Sequence, residues 1–176
     1  MGIHRLNHAV LYVREATRSV AFYRDVLGFE VKAEIAGGAA AFLQAPGSTN
    51  DHDLGLFQVG AQAGASAAGR ATVGLYHLAW EVETLADLEE HQERLARAGA
   101  LVGASDHGTT KSLYAQDPDG LEFEVVWIVP AALLTDDAVA KGKGRPQPLD
   151  LAREKDRYGA DTRGGLGISV PLGVTV

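Results

Sequence analysis

The apolar and polar positions of this chain repeat. Residues 6–13 read Leu-Asn-His-Ala-Val-Leu-Tyr-Val, and residues 75–82 read Leu-Tyr-His-Leu-Ala-Trp-Glu-Val. Each is an apolar run with a histidine in third place, His8 and His77, 69 residues apart. Side chains alternate along a strand, so His8, Val10 and Tyr12 share one face, and His77, Ala79 and Glu81 share one in the second run. A helical pattern follows each run. Ala16, Val20, Tyr23 and Leu27 fall on one helical face, and Gly28 ends it. In the second half Thr84 and Asp87 have the spacing of a capping box, Leu85, Leu88 and Leu95 make the apolar stripe, and Gly99 ends the helix. Short apolar strands then start at Phe29–Val31 and Ala100–Val102. Later strands follow in both halves, with turn signals at Ala45-Pro46-Gly47 and Asp117-Pro118-Asp119-Gly120. Each half therefore predicts β-α-β-β-β, and the whole chain an α+β fold built from one unit used twice.

This pattern sets the predicted boundaries. Module 1 spans about 4–60 and module 2 about 74–130, together one domain over 1–130. Residues 61–73 are small and flexible in composition and join the modules as a linker. Residues 131–176 match neither half. They contain Lys141-Gly-Lys-Gly-Arg-Pro-Gln-Pro148 and a glycine-rich end. They read as an extended extension with a short helix near Leu149–Tyr158, mobile in isolation or wrapped on a neighbouring subunit.

Composition narrows the function classes. Of 176 residues, 46% are hydrophobic and 22% charged, which is ordinary globular usage. There is no run of about 18 apolar residues for a membrane span. The start lacks a signal-peptide core, and Leu6 stands where a myristoylation motif needs Ser or Thr. A cytoplasmic protein is the expectation. Cysteine is absent, so any metal site must use histidine and carboxylate. The net charge of −7, with no basic stripe, argues against nucleic acid and anionic membranes as partners. Unpaired sheet edges and the unmatched extension favour a homodimer.

The candidate chemistry lies on the strand faces. In the last strand Glu122, Glu124 and Val126 point one way, and Leu121, Phe123, Val125 and Trp127 the other. The apolar face belongs against helices, so the carboxylates share the surface that carries the histidines. Two neutral imidazoles and one carboxylate make a facial triad, leaving open positions on a divalent metal. His8, His77 and Glu124, each from a different strand, satisfy it. A lone strand histidine is more often structural than ligating. The repeat equivalence and Glu124 together favour ligation here. Glu122 reads as a rim residue, His4 and His91 as surface residues, and His52 equally as loop surface or pocket.

At these residues the sequence resembles the glyoxalase / bleomycin-resistance / extradiol-dioxygenase superfamily, the vicinal-oxygen-chelate fold. The resemblance rests on Asn7-His8-Ala-Val-Leu-Tyr-Val, Ser19-Val-Ala-Phe-Tyr23 with Leu27-Gly28-Phe29, Tyr76-His77-Leu-Ala-Trp-Glu-Val and Asp117-Pro-Asp-Gly-Leu-Glu-Phe-Glu124. It covers roughly residues 4–130. It implies two paired βαβββ modules forming a cupped, partly open mixed sheet around one metal, with His8, His77 and Glu124 as ligands. Pairing within one chain and exchange between chains both remain open. Glyoxalase-I-like members supply a fourth ligand from the last strand of the first module. Shifting Glu124 back by 69–71 residues gives Gly55, Leu54 or Asp53, of which Asp53 alone could ligate. The runs Asp51-His52-Asp53-Leu54-Gly55-Leu56 and Ser105–Tyr114 resemble extradiol dioxygenases more closely. There a tyrosine ten residues before the ligand glutamate lies near substrate, a spacing Tyr114 has, and His107 is the candidate for a histidine just outside the metal shell. The resemblance thus implies an Fe(II)-dependent dioxygenase of aromatic catabolism, taking a catechol-like diol and O2, with His107 and Tyr114 as catalytic residues. Mn(II), Zn(II) and Ni(II) suit the same ligands. A glyoxalase-type lyase, another metal-dependent enzyme of the fold and a metal-free drug-binding protein are the alternatives.

Overall fold

The computed structural model describes residues 2–3, 5–68 and 71–165. Within it the chain divides into two compact units, one of residues 1–72 with the turn 117–121, the other of residues 73–116 with the chain from Glu122 onward. Both are α+β and both follow the same order. The first has β1 (Ala9–Val13), α1 (Ala16–Asp25), β2 (Glu30–Ile35), β3 (Ala40–Gln44) and β4 (Leu54–Gln58). The second has β5 (Leu78–Glu81), α2 (Leu85–Arg97), β6 (Leu101–Asp106), β7 (Thr110–Gln116) and β8 (Glu122–Ile128). The first sheet is ordered β1-β4-β3-β2, and the second begins equivalently as β5-β8-β7-β6. In each, the first and last strands run parallel and the other pairs antiparallel.

The helices form for the reasons the pattern gave. On α1, Ala16, Val20 and Tyr23 are buried. The helix ends at Asp25, two residues before Leu27, which is buried from the turn instead. On α2 the capping box is complete: the Thr84 hydroxyl accepts from the Asp87 N–H, and the Asp87 carboxylate accepts from the Thr84 N–H. Leu85, Leu88 and Leu95 are fully buried. Each contributes about 1.5–3 kcal/mol of apolar burial. On β8 the alternation is clean, with Phe123, Val125 and Trp127 buried and Glu122 exposed.

Two expectations need correction. The histidines do not sit inside strands. β1 begins at Ala9 and β5 at Leu78, each one residue later. The ladder starts where Ala9 N–H donates to the Asp53 carbonyl, and Leu6, Leu75 and Tyr76 before the two histidines are exposed. The extension is not a loose tail either. As far as Gly165 it packs on the second unit as α3 (Asp136–Gly142), β9 (Gln147–Pro148) and α4 (Leu151–Tyr158). Strand β9 adds to the sheet beside β6, pairing Ser105 with Pro148 and Asp106 with Gln147. The short helix stands close to where the sequence placed it. Residues 166–176, including much of the glycine-rich end, lie outside the described residues, as does His4.

Buried charge holds the extension down. Lys111 of β7 is fully buried, and its Nζ lies 2.5 Å from Asp106 Oδ1 and 2.9 Å from Glu154 Oε2. Lys141 Nζ reaches Asp106 Oδ2 at 2.9 Å and Arg153 Nε reaches Glu154 Oε1 at 3.1 Å. Farther along, Trp127 Nε1 donates to the Thr162 carbonyl and Lys155 pairs with Glu89 on α2. Between Gln58 and Leu78 there is no helix or strand among the described residues, and Gly69 and Arg70 of this predicted linker lie outside them. No helix among the described residues is long and apolar enough to cross a membrane.

Candidate functional site

The second unit brings four of the predicted residues together. Ala79 of β5 pairs with Glu124 of β8, and Glu124 pairs with Tyr114 of β7. His77, just ahead of β5, therefore stands over the carboxylate, and His77 Nε2 lies 3.1 Å from Glu124 Oε2. Two donors at right angles, each about 2.1 Å from one metal ion, would stand roughly 3 Å apart, so this spacing suits shared ligation. The Tyr114 ring centroid is 6.1 Å from that of His77. The Tyr114 hydroxyl lies 2.8 Å from His107 Nε2. Burial raises the Tyr114 phenol above its ordinary value, the Glu124 charge raises it further, and Ser112 partly offsets both. Tyr114 is half-buried, unlike the sealed core residues Leu113 and Ala115 beside it. His77 Nδ1 is buried and meets no hydrogen-bond partner, so the outer nitrogen that ordinarily steadies a ligating imidazole is unanchored here.

The first unit carries His8, which is exposed. Its Nδ1 is 2.7 Å from Asn7 Oδ1. An amide oxygen can only accept, so Nδ1 is the donor in this contact, and in the neutral ring Nε2 would be the nitrogen left for a metal. Asn7 is held in turn, because Asn50 Nδ2 donates to the Asn7 carbonyl at 2.7 Å and to Asp53 Oδ1 at 2.7 Å. The His52 ring lies against His8, with centroids 4.4 Å apart, and edge-on to Phe42 at 5.0 Å. Its Nδ1 pairs with Asp51 and its Nε2 is buried without a partner. His52 is therefore packed into a small aromatic cluster and is not loop surface.

The fourth-ligand question has a register answer. Val10 pairs with Gly55 as Ala79 pairs with Glu124, so Gly55 occupies the position equivalent to Glu124. A Cβ there would meet Val10 Cγ2 at 3.4 Å and the Phe42 ring at 3.6 Å. Asp53 is not a free ligand. It is buried and accepts from Ala45 N, Ser48 Oγ and Asn50 Nδ2, closing the loop before β4. Phe42, which pairs with Gly55, is the counterpart of Tyr114. Sequence reasoning missed it because thirteen residues separate Phe42 from Gly55 where ten separate Tyr114 from Glu124. The Asp117–Gly120 turn is structural, as expected. Asp117 Oδ1 accepts from the N–H groups of Asp119 and Leu121, and Asp119 pairs with Arg14. His91 is half-buried on α2, its Nδ1 2.8 Å from the Asp87 carbonyl oxygen. Among the described residues no three His, Asp or Glu side chains stand together as a metal cluster. His77 and Glu124 stand together in one unit, and His8 belongs to the other.

A family model described as Glyoxalase/Bleomycin resistance protein/Dioxygenase superfamily matches residues 5–125. The biphenyl-2,3-diol 1,2-dioxygenase 3 of Rhodococcus globerulus is 36% identical over 122 residues, covering 69% of this chain and 62% of that protein. The catechol-2,3-dioxygenase of Bacillus subtilis is 31% identical over 120 residues, 68% of this chain and 40% of that one. A manganese-dependent 2,3-dihydroxybiphenyl 1,2-dioxygenase of Geobacillus genomosp. 3 is 28% identical over 131 residues, 72% and 38% respectively. The chain spans about a third to three-fifths of the length of the curated relatives it matches. In structure it is similar to a glyoxylase/bleomycin resistance protein/dioxygenase domain from Frankia sp. EAN1pec, with a TM-score of 0.61 and 25% identity over 71% of this chain and 92% of that one.

Proposed function

Because the chain belongs to the glyoxalase/bleomycin resistance protein/dioxygenase superfamily, we propose that it is a metal-dependent, extradiol-type ring-cleaving dioxygenase acting on a small aromatic diol. The observation that carries this reading is the arrangement in the second unit, where the His107–Tyr114 pair stands beside the His77–Glu124 donors. The metal is held by His8, His77 and Glu124, with His8 supplied by the same chain or a second copy. Fe(II) is the proposed ion, and Mn(II) the first alternative in view of the manganese-dependent relative. Glycine at the position equivalent to Glu124 leaves the ligand set at three, which favours the dioxygenase reading over a glyoxalase with a fourth protein ligand. In this proposal the domain is residues 1–130, and the protein is a homodimer. Sedimentation at micromolar concentration should give twice the chain mass, and a monomer throughout would refute the dimer.

When bound, the metal supplies a Lewis-acidic template that orients the diol and dioxygen. The chain's own groups handle protons around it. Burial and the Glu124 charge raise the phenol of Tyr114, which favours its protonated form, and its hydroxyl lies in hydrogen-bond reach of His107 Nε2. His107 shares that hydrogen bond and serves as relay for the diol proton.

The test is metal analysis of anaerobically purified protein, followed by oxygen uptake across a catechol panel. Uptake with a yellow ring-opened product is expected. Tyr114→Phe should keep its metal yet lose about 10²–10⁴-fold in kcat, the usual worth of a positioned acid or base. Turnover of a methylglyoxal–thiol adduct with no oxygen uptake would overturn the dioxygenase reading.

A further inference from the structure

We propose that the C-terminal segment of α3, β9 and α4 is a brace that positions His107 against Tyr114. The inference takes from the proposed function only that these two residues work as a pair. His107 sits in a tight turn between β6 and β7, where its N–H donates to the Thr110 carbonyl and its own carbonyl accepts from Thr109 N–H. The extension grips this turn in three ways.

The first grip is backbone on backbone. Gly108 has φ +76°, and a Cβ there would stand 2.2 Å from the Ala138 carbonyl oxygen and 2.9 Å from Gly142 N. A Cβ on Gly142 would in return stand 3.1 Å from the His107 carbonyl oxygen. Two glycines thus let α3 touch the turn with no side chain between, the close approach that only glycine permits. The second grip is the ladder, because β9 pairs with Ser105 and Asp106, the last residues before His107. The third is charge. Asp106 Oδ1 accepts from Gly108 N–H at 2.8 Å and from Lys111, and Oδ2 accepts from Lys141 of α3 at 2.9 Å. All three grips fall within residues 105–109. A segment that served only to cover the helix side of the sheet would have no need to converge on one turn. The result is that the His107 backbone is fixed, and only side-chain rotation remains to place its Nε2.

Lys141 is the better residue to change, since it is 32% exposed and Lys111 still neutralises Asp106 without it. The experiment uses full-length protein carrying ¹⁵N-labelled histidine and no added metal. The His107 signal is assigned by its loss in His107→Gln, and the shift it undergoes on Tyr114→Phe reports the hydrogen bond. In Lys141→Met and in Gly108→Ala that shift should fall to half or less, while the His77 signal stays in place, and Lys141→Arg should restore it. Amide exchange across Asp136–Gly142 should rise in the same variants. In metal-loaded enzyme kcat should fall about 10–100-fold, the effect expected of a small misplacement, with KM within about twofold. If Gly108→Ala fails to fold, Lys141→Met decides alone. A full Tyr114-dependent shift in Lys141→Met overturns the brace, whether α3 has loosened or kept its protection. A wild-type enzyme without oxygen uptake would overturn the dioxygenase reading and leave the NMR result to stand on the brace.

Discussion

Glu124→Ala should lose metal and turnover together. Metal content should drop from about one ion per chain to under about a tenth, and oxygen uptake should vanish with it. Glu124 is one of three proposed anchors. Glu122 shares its strand face but is exposed, and Asp53 is spent on three hydrogen bonds in its loop. The fold should survive, because the apolar face of β8 rests on Phe123, Val125 and Trp127, which the substitution leaves intact. Glu122→Ala, made in parallel, should keep its metal. Stoichiometric metal in Glu124→Ala, measured by elemental analysis on folded protein, would remove Glu124 from the ligand set.

Asp106→Ala should be the most destabilising single change outside the apolar core. It leaves Lys111 fully buried with Glu154 as its remaining counter-charge and frees Lys141 altogether. Breaking a buried ion pair from one side costs about 3–5 kcal/mol. For a chain of this size that corresponds to a melting point lower by roughly 6–20 °C. The same carboxylate makes the wild type acid-sensitive. Burial alone would raise Asp106, but hydrogen bonds from Lys111, Lys141 and Gly108 N–H, with the Lys111 charge, hold it at about 2 against an ordinary 3.8. A folded value below the unfolded one means the stabilisation is present above pH 3.8 and disappears as pH falls through about 2. Its size is roughly 2 kcal/mol, less than the cost of the substitution, because protonation leaves a hydrogen-bonding acid where alanine leaves nothing. Denaturant titrations between pH 5 and about 2 should show the loss in wild type and not in Asp106→Ala. Equal acid sensitivity in both would refute the assignment.

Much of this was legible because it depends on periodicity. The paired helices, the capping box at Thr84, and the equivalence of His8 and His77 all follow from spacing within short windows. So does the placing of Glu124 opposite the apolar face of β8. The Tyr114–His107 bond was reachable only through the resemblance. Seven residues separate the two, and nothing local shows that a hairpin turn folds one onto the other. The docking of the extension was hidden for a different reason. Its buried stripe on α4 is Leu151, Glu154 and Tyr158, and the glutamate breaks the apolar pattern that marks a core-facing helix. Its partner Lys111 sits equally unannounced among the buried residues of β7. A charge pair that is satisfied only in three dimensions looks, in one dimension, like two surface residues. Phe42 escaped because a longer loop shifts its count against Tyr114, and a register is a property of the ladder rather than of the sequence.

The two modules are the same device with its symmetry broken at one ladder rung. Where the second carries glutamate and tyrosine side by side, the first carries glycine and phenylalanine. Gly55 has an ordinary strand conformation, so backbone geometry does not forbid a carboxylate there. What occupies the space is the Phe42 ring and Val10, both in contact distance of any Cβ. A side chain at position 55 would lie in ordinary contact with the Phe42 ring and Val10, so in the proposed site a fourth ligand there would have to be fitted beside an aromatic ring that replaces Tyr114. The two ladders thus part company in polarity at a single rung, a carboxylate beside a phenol in one and a glycine beside an apolar ring in the other.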